Sequence, residues 1–228
     1  MLINKHMSEN PRTENNKIFI IGLPRTATTS ICVAMLDLGF KVAHTCYTEK
    51  CLVAAQVIAD TPVFYNFVEL DKQFPGAKFI YLERELSSWL PSIKQLLLRM
   101  HTNVTRSDGG YNPIIRHCYS EVFSPFTEQN INQDSFLERC YLQHKSKVLS
   151  HFSDRASDFL MLNIAEQGSY QKLLTFLNID AAISDFAKIN IGGKVTAWNK
   201  IKHPNKVEST KNGRIDKHLL SFTDSLIT

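Results

Sequence analysis

Residues 17–30 read KIFIIGLPRTATTS and join a short apolar run to a turn and to a hydroxyl-rich segment. The β-branched and aromatic residues that open this stretch predict a buried strand, which ends at Gly22. Residues 23–27 predict a tight turn, and apolar residues at helical spacing predict a helix over 28–38. A helix N-terminus offers backbone N–H groups and the positive end of the helix dipole to an anion. The stretch therefore predicts a site for a phosphate-like anion at the start of an α/β domain.

The same alternation of short strands and helices continues along the chain. Further strands are predicted at 40–43, 78–82 and 159–162, and helices at 49–59, 67–74, 86–100, 135–152 and 170–177. Strands that alternate with helices imply right-handed crossovers and a parallel sheet. The sequence thus predicts the α/β class.

The length of 228 residues suits one domain. Residues 1–16 are polar and lack the apolar core of a signal peptide, so we interpret them as a flexible lead-in to a cytoplasmic protein. Residues 17–228 are predicted to form a single domain. Within it, residues 101–134 are rich in Asn, Ser, Gly and Pro and are predicted to be a cap or substrate loop. The aromatic residues of this segment are predicted either to line an acceptor pocket or to anchor a lid. Farther along the chain, residues 195–198 are predicted to be extended.

Composition excludes several classes of protein. Hydrophobic residues make up 43% and charged residues 21%, which excludes a wholly disordered chain. No apolar run is long enough for a membrane span, so no membrane partner is predicted. The five cysteines form no CxxC pair, which argues against a disulfide framework or a zinc site and favours buried thiols.

Charge is concentrated near the C-terminus, where residues 189–228 hold seven Lys or Arg against three Asp or Glu. This basic segment is typical either of an anion partner or of a solvated tail. No nucleic-acid-binding motif is present, so nucleic acid is not predicted as a partner.

The turn of the first stretch carries side chains that suit phosphate or sulfate oxygens. Arg25 adds a charged fork, and the three hydroxyl residues that follow add donors. The alternative is an ordinary strand-turn-helix whose hydroxyls cap the helix. Compared with the nucleotide-binding pattern G-x-x-x-x-G-K-[ST], Gly22 fits, but Ala27 replaces the second glycine and Thr28 replaces the lysine. The missing lysine argues against ordinary ATP chemistry. A sulfuryl group carries less negative charge than a phosphoryl group, so a metal-free site is sufficient for sulfuryl transfer.

A second element follows the strand predicted at 78–82. Arg84 stands at the carboxyl end of this strand, where open α/β sheets bind ligands. Ser92 comes eight residues later, in the predicted helix. The alternative is a surface pair of Arg84 with Glu85 and a serine of the helix N-terminus.

Together the two elements resemble the P-loop sulfotransferase family, in particular its bacterial type. Residues 24–29 are similar to the family's 5′-phosphosulfate loop, P-[RK]-[ST]-G-T-T, with Ala27 in place of glycine. The family's 3′-phosphate element is a strand that ends in Arg-Asp, with a serine eight residues after the arginine. Arg84 and Ser92 match this element, and Glu85 replaces its aspartate. Trp89 fits bacterial forms. Looser similarities lie at 158–178, 186–190 and 192–194 and at Trp198.

The resemblance implies a P-loop nucleotide-hydrolase-like three-layer fold, with a central parallel sheet and helices on both faces. It also implies 3′-phosphoadenosine 5′-phosphosulfate (PAPS) as the donor, 3′,5′-ADP as the product and no required metal. The acceptor is expected to be a hydroxyl or amine of a small molecule or glycan. By resemblance, Arg25 also stabilises the leaving group, and the donor is bound by Pro24, Arg25, Thr26, Ala27, Thr28, Thr29, Ser30, Arg84, Ser92, Gly193 and Lys194.

The general base is predicted among two residues. Cytosolic members of the family place a histidine two residues before a proline, and other branches use glutamate. Here Asp60 occupies that place, and its alternative is a cap or turn before Pro62. His44 follows the strand at 40–43 and is the second candidate, unless it is a histidine of the sheet edge. His144 shares an apolar helix face and is interpreted as a packed core histidine.

Two other functions compete with sulfuryl transfer. A phosphotransferase of the small-kinase type is disfavoured by the missing lysine and by the lack of a clear aspartate for Mg²⁺ at a strand end. A non-catalytic nucleotide-binding member of the same fold is the other alternative. No motif specifies the acceptor or the oligomeric state.

Overall fold

The computed structural model describes residues 17–182, 185–187, 197–209 and 220 of the protein. In this part of the chain, five strands form one sheet in the order β2-β3-β1-β4-β5, and all neighbouring strands are parallel. The strands are β1 (Ile18–Ile20), β2 (Val42–Ala43), β3 (Val57–Ala59), β4 (Lys78–Leu82) and β5 (Phe159–Leu162). The predicted parallel α/β sheet is therefore confirmed.

Helices connect the strands. Those of the described residues are α1 (Thr28–Asp37), α2 (Glu49–Ala54), α3 (Val63–Gln73), α4 (Leu86–Thr105), α5 (Pro113–Val122), α6 (Glu128–Ile131), α7 (Asp134–His151), α8 (Ser169–Leu177) and α9 (Ala197–Lys200).

Two apolar cores lie on opposite faces of the sheet, because successive side chains of a strand point to opposite sides. In β1, Ile18 and Ile20 belong to the core that contains residues of α1 and α8, whereas Phe19 belongs to the core that contains residues of α2 to α7. Phe19 and Ile20 are both fully buried. The predicted arrangement of three layers, with helices on both faces of the sheet, is confirmed.

The strand order brings three chain segments to one edge of the sheet. β1 lies between β3 and β4, so the segments that follow these three strands meet at a topological switch point, where such sheets bind ligands. Gly22 permits a close approach there, because a Cβ atom on it would lie 2.7 Å from the Cβ of Leu82. Residues 24–29, here called the phosphate loop, follow β1, whereas Asp60 follows β3 and Arg84 follows β4.

The helix predicted over residues 49–59 is wrong in its second half. α2 ends at Ala54, Ala55 has extended backbone angles, and the chain continues into β3. Val57 and Ile58 are β-branched and fully buried between neighbouring strands, which favours strand over helix. The structure thus adds a central strand that the prediction lacked.

The segment predicted as a long loop, residues 101–134, is largely helical. α4 continues to Thr105, and α5 and α6 follow. The side chain of Asn112 accepts a hydrogen bond from the Ile114 N–H at 2.8 Å, and Pro113 occupies the first turn, which together begin α5. These helices pack against α4 and α7 and contribute to the core on that face of the sheet.

Smaller differences concern the helix ends. α3 begins at Val63, earlier than predicted, and Trp198 lies in α9 where an extended segment was predicted. The predicted lead-in of residues 1–16 lies outside the described residues, as do Val195 and Thr196.

All five cysteines are free and buried, as predicted. Among the helices described, none combines the length and the apolar character that crossing a membrane requires.

Candidate active site

The phosphate loop forms a tight turn between β1 and α1. Arg25 and Ala27 both have positive φ angles, of 72° and 74°. The hydroxyl of Thr26 donates to the Leu23 carbonyl at 2.7 Å and closes the turn. Ala27 is the N-cap of α1, whose first turn contains no acidic residue. Since alanine has no side-chain acceptor for the first-turn N–H groups, the positive end of the helix dipole faces the loop.

Ala27 occupies a conformation that normally belongs to glycine. Its φ of 74° and ψ of 31° lie in the left-handed region. This region costs an L-residue about 1–2 kcal/mol, whereas glycine adopts it freely. The loop therefore keeps the shape expected of the glycine-containing motif at a cost in stability.

The second element folds directly onto the phosphate loop. Arg84 Nη1 donates to the Arg25 carbonyl oxygen at 2.8 Å, and Arg25 Nε donates to Ser92 Oγ at 2.8 Å. Arg84 thus bonds to the loop, contrary to the alternative of a simple surface pair with Glu85. Arg25, Arg84 and Ser92, which were predicted as site residues from two separate segments, therefore lie together.

Two aromatic side chains hold this junction in place. Trp89 is fully buried, and its Nε1–H donates to the Pro24 carbonyl at 2.9 Å. The hydroxyl of Tyr141 accepts from the Arg84 N–H at 3.1 Å and lies 3.2 Å from the Arg84 carbonyl, to which it donates. The sequence analysis missed the role of Tyr141, and its only signal was a place on the apolar face of α7.

Positive charge accumulates around the loop. Burial lowers the pKa of Arg25, and the neighbouring guanidinium groups of Arg84 and Arg99 lower it further. Burial also lowers the pKa of Arg84. Arginine nevertheless stays charged at neutral pH because its usual pKa is so high. Arg99, seven residues after Ser92 and on the same side of α4, was missed by the sequence analysis. Such a cluster suits an anion with several charges.

Asp60 follows β3 and reaches the phosphate loop. Its Oδ2 accepts from the Thr28 hydroxyl at 3.5 Å, and its Oδ1 accepts from the Thr61 hydroxyl at 3.1 Å. Its carbonyl also accepts from the Phe64 N–H at 3.2 Å, so the residue also holds the turn that leads into α3. The two interpretations of Asp60, as a site residue and as a turn residue, are geometrically compatible.

Two phenols lie near Asp60. Burial raises the pKa of Tyr47 and of Tyr119, and the negative charge of Asp60 raises both further. Tyr119 belongs to α5, so a helix of the predicted cap region lies near the carboxylate.

His44 follows β2 and contacts the helix start. Its Nε2 lies 3.0 Å from Thr29 Oγ1 and 3.3 Å from Thr28 Oγ1. Its ring lies against Trp198, with centroids 5.4 Å apart. Burial lowers the pKa of His44, Asp60 raises it, and Lys206 lowers it. The imidazole is therefore neutral at neutral pH.

The other predicted residues divide into three groups. Thr28, Thr29 and Ser30 are buried in the first turn of α1. His144 is a packed core histidine, as predicted, and its Nε2 donates to the Phe64 carbonyl at 2.7 Å. Gly193 and Lys194 lie outside the described residues. Within the ranges described, no three His, Cys, Asp or Glu residues form a group able to hold a metal ion.

One argument against a phosphotransferase is wrong. The sequence analysis found no aspartate at a strand end, because it missed β3. Asp60 directly follows this strand, which pairs with β1. Thr28 still stands where the nucleotide-binding pattern requires lysine, so that argument is unchanged.

Comparisons with known proteins give one family model and similar solved structures. The family model described as "Sulfotransferase domain" matches residues 17–50 and 46–195. No curated protein matches the chain. Among solved structures, the crystal structure of mouse sulfotransferase SULT7A1 complexed with PAP has a TM-score of 0.45 and 14% sequence identity, covering 88% of this chain and 73% of that chain.

Proposed function

Because the chain belongs to the sulfotransferase-domain family, we propose that it transfers a sulfuryl group from PAPS to a hydroxyl or amine of a small-molecule or glycan acceptor. The observation that carries the proposal is the contact of Arg84 and Ser92 with Arg25. It joins two elements that each suit a phosphate, as a donor with a 5′-phosphosulfate and a 3′-phosphate requires.

The residues divide between the two anionic groups. Arg25, Thr28, Thr29 and the N-terminus of α1 bind the 5′-phosphosulfate, through charge, hydroxyls and the helix dipole. Arg84 and Ser92 bind the 3′-phosphate. PAPS, when bound, supplies a sulfuryl group on a phosphate leaving group. We propose that the cations of the protein suffice for this chemistry and that no metal is required.

Asp60 is proposed as the general base. Its carboxylate accepts the proton of the acceptor as the acceptor oxygen or nitrogen bonds to sulfur and the bond from sulfur to the bridging phosphate oxygen breaks, in line. The departing phosphate gains negative charge, which Arg25 stabilises. The 3.5 Å contact between Asp60 and Thr28 supports this assignment, since it brings the base beside the loop. We place the acceptor on the Asp60 side of the loop, where Tyr47 and Tyr119 lie close enough for their pKa values to respond to the charge of Asp60.

One observation favours a second candidate, a phosphotransferase. An aspartate at the end of the strand beside β1, in contact with the first turn of α1, suits a site for Mg²⁺ and a nucleoside triphosphate. The missing lysine weighs against it. Dependence of nucleotide binding on Mg²⁺ distinguishes the two functions.

The test is turnover of PAPS in the presence of phenols, alcohols, amines and sugars, measured as acceptor-dependent formation of 3′,5′-ADP. Asp60→Asn is expected to lower kcat at least about 100-fold without weakening the binding of 3′,5′-ADP. Asp154→Asn changes an exposed aspartate in the same way and is the matched control. Full activity of Asp60→Asn would contradict the assignment of the base. Binding of 3′,5′-ADP without transfer to any acceptor would favour the non-catalytic alternative.

A further inference from the structure

We propose that His44 is a positioning residue, whose Nε2–H donates to the hydroxyl oxygens of Thr28 and Thr29 and so directs both O–H groups to the bound anion. This inference deepens the proposed function and rests on it. It gives His44 a role distinct from that of general base, for which the sequence analysis considered it.

The distances support this assignment. His44 Nε2 lies within hydrogen-bond distance of both hydroxyls, at 3.0 and 3.3 Å. A threonine hydroxyl has one hydrogen and can donate it only once. A hydroxyl that donates to His44 therefore has no hydrogen left for the anion. When an anion is bound by these hydroxyls, the ring nitrogen must be the donor and the threonine oxygens the acceptors.

Asp60 competes with the anion for the hydrogen of one of these hydroxyls, that of Thr28. An ionised carboxylate can only accept, so its Oδ2 attracts the hydrogen of Thr28 away from the anion. A donor on the other side of the same oxygen reverses that preference. His44 is placed to supply it.

Residues 198–207, here called the C-terminal segment, position His44. Val42 N–H donates to the Asn205 carbonyl at 2.9 Å, and Val207 N–H donates to the Val42 carbonyl at 2.8 Å, which pairs this segment with β2 just before His44. Trp198 packs against the imidazole. Lys206 Nζ donates to the Trp198 carbonyl at 3.1 Å and lies 5.4 Å from the centre of its indole ring. The backbone before His44 and one face of its ring are thus positioned by residues other than those that bind the anion.

The charges around His44 predict a dependence on pH. Asp60 and Lys206 face the ring with opposite effects on its pKa, and burial lowers that pKa most. An anion bound beside the hydroxyls adds negative charge, which raises the pKa and favours a proton on Nε2. Binding therefore takes up part of a proton, and affinity is expected to rise as the pH falls toward 6, relative to a variant that cannot titrate there.

The experiment is a calorimetric cycle with two probes, 3′,5′-ADP for the whole site and pyrophosphate for the loop. His44→Leu is expected to weaken binding of each about tenfold. His44→Gln extends an amide N–H toward the same hydroxyls and is expected to restore affinity to within about threefold, without the part of the pH dependence that His44 contributes. With Thr28→Val and Thr29→Val already present, His44→Leu should have almost no further effect. His151→Leu, which removes a histidine bonded to Asp71, is the matched control.

The outcomes separate this inference from the proposed function. Equal affinities of the wild type and His44→Leu, or losses that add fully to those of the threonine variants, would overturn the role of His44. If His44→Leu does not fold, the pH profile of His44→Gln decides, because a profile parallel to that of the wild type overturns the role. Pyrophosphate binding that depends on His44, without preferential binding of 3′,5′-ADP, would support the role of His44 and contradict the proposed donor.

Discussion

Arg84 donates a hydrogen bond from Nη1 to the backbone carbonyl of Arg25 at 2.8 Å, although the two residues lie 59 positions apart. The bond joins the segment that follows β4 to the turn that follows β1. Since Arg25 in turn donates to Ser92, one chain of hydrogen bonds connects the two proposed phosphate-binding elements. Changes at either element are therefore expected to affect both.

Replacing Arg84 tests this connection. Arg84→Ala is expected to weaken 3′,5′-ADP binding about 100-fold, because it removes both a charge on the proposed 3′-phosphate and the bond that holds the loop. Arg84→Lys keeps the charge but lacks the planar fork, so an intermediate loss is expected. Isothermal titration calorimetry measures both.

Arg139→Ala is the matched control for this pair, since Arg139 is an exposed arginine near the Phe136 ring. It should bind 3′,5′-ADP like the wild type. An Arg84→Ala variant with unchanged affinity would mean that the second element does not contact the ligand.

Trp89 is expected to act on the loop through one hydrogen bond. Trp89→Phe keeps a buried aromatic ring but removes the Nε1–H that bonds to the Pro24 carbonyl at 2.9 Å. The loss of this bond and the smaller ring are expected to destabilise the fold by about 2 kcal/mol and to weaken nucleotide binding several-fold. Urea unfolding and calorimetry provide the two values. Stability lost without any change in affinity would show that the bond serves the fold only.

Ala27 is expected to be improved by glycine. Ala27→Gly relieves a left-handed alanine but makes the unfolded chain more flexible, so the expected net gain in unfolding free energy is about 0.5–1 kcal/mol. Ala34→Gly, inside regular α1, is the control of opposite sign and should lose about 1 kcal/mol or more. Urea unfolding of both variants is the measurement. A loss of stability in Ala27→Gly would mean that the loop is unstrained at this residue.

His144 is expected to make stability depend on pH. Burial lowers its pKa from the usual 6.5 to about 4 in the folded protein. Below pH 6.5 the unfolded chain binds a proton that the folded protein does not, so stability falls as the pH drops from 6.5 to about 4. The full effect is about 3 kcal/mol. His144→Gln, which has no such titration, should lose about 2–3 kcal/mol less than the wild type between pH 7 and pH 4.5. Parallel unfolding curves over this range would contradict the assignment.

The sequence predicted the parts of the site that depend on local pattern. Gly22, Arg25 and the hydroxyls lie in one strand-turn-helix, whose order alone indicates an anion site. Arg84 and Ser92 were found because the end of a parallel strand is a defined place in such sheets. Their hydrogen bonds with Arg25 were not predicted, because these depend on the order of the strands, which no local pattern contains.

Other parts were not accessible to local patterns. β3 was missed because Val57 and Ile58 follow a true helix with no Gly or Pro between them, and only their β-branching indicated a strand. Without β3, Asp60 was not recognised as a strand-end residue beside the phosphate loop. Tyr141 contacts Arg84, and His44 contacts the loop, only through tertiary packing, so their partners were not predictable from spacing.

The central claim is that the loop and the second element form one site for a nucleotide with 5′- and 3′-anionic groups. Calorimetric titration with 3′,5′-ADP and with 5′-ADP, each with and without Mg²⁺, tests this claim most directly. We expect 3′,5′-ADP to bind without Mg²⁺ and at least about tenfold more tightly than 5′-ADP, because only the former engages Arg84 and Ser92. Preference for 5′-ADP in the presence of Mg²⁺ would contradict this account and favour a phosphotransferase.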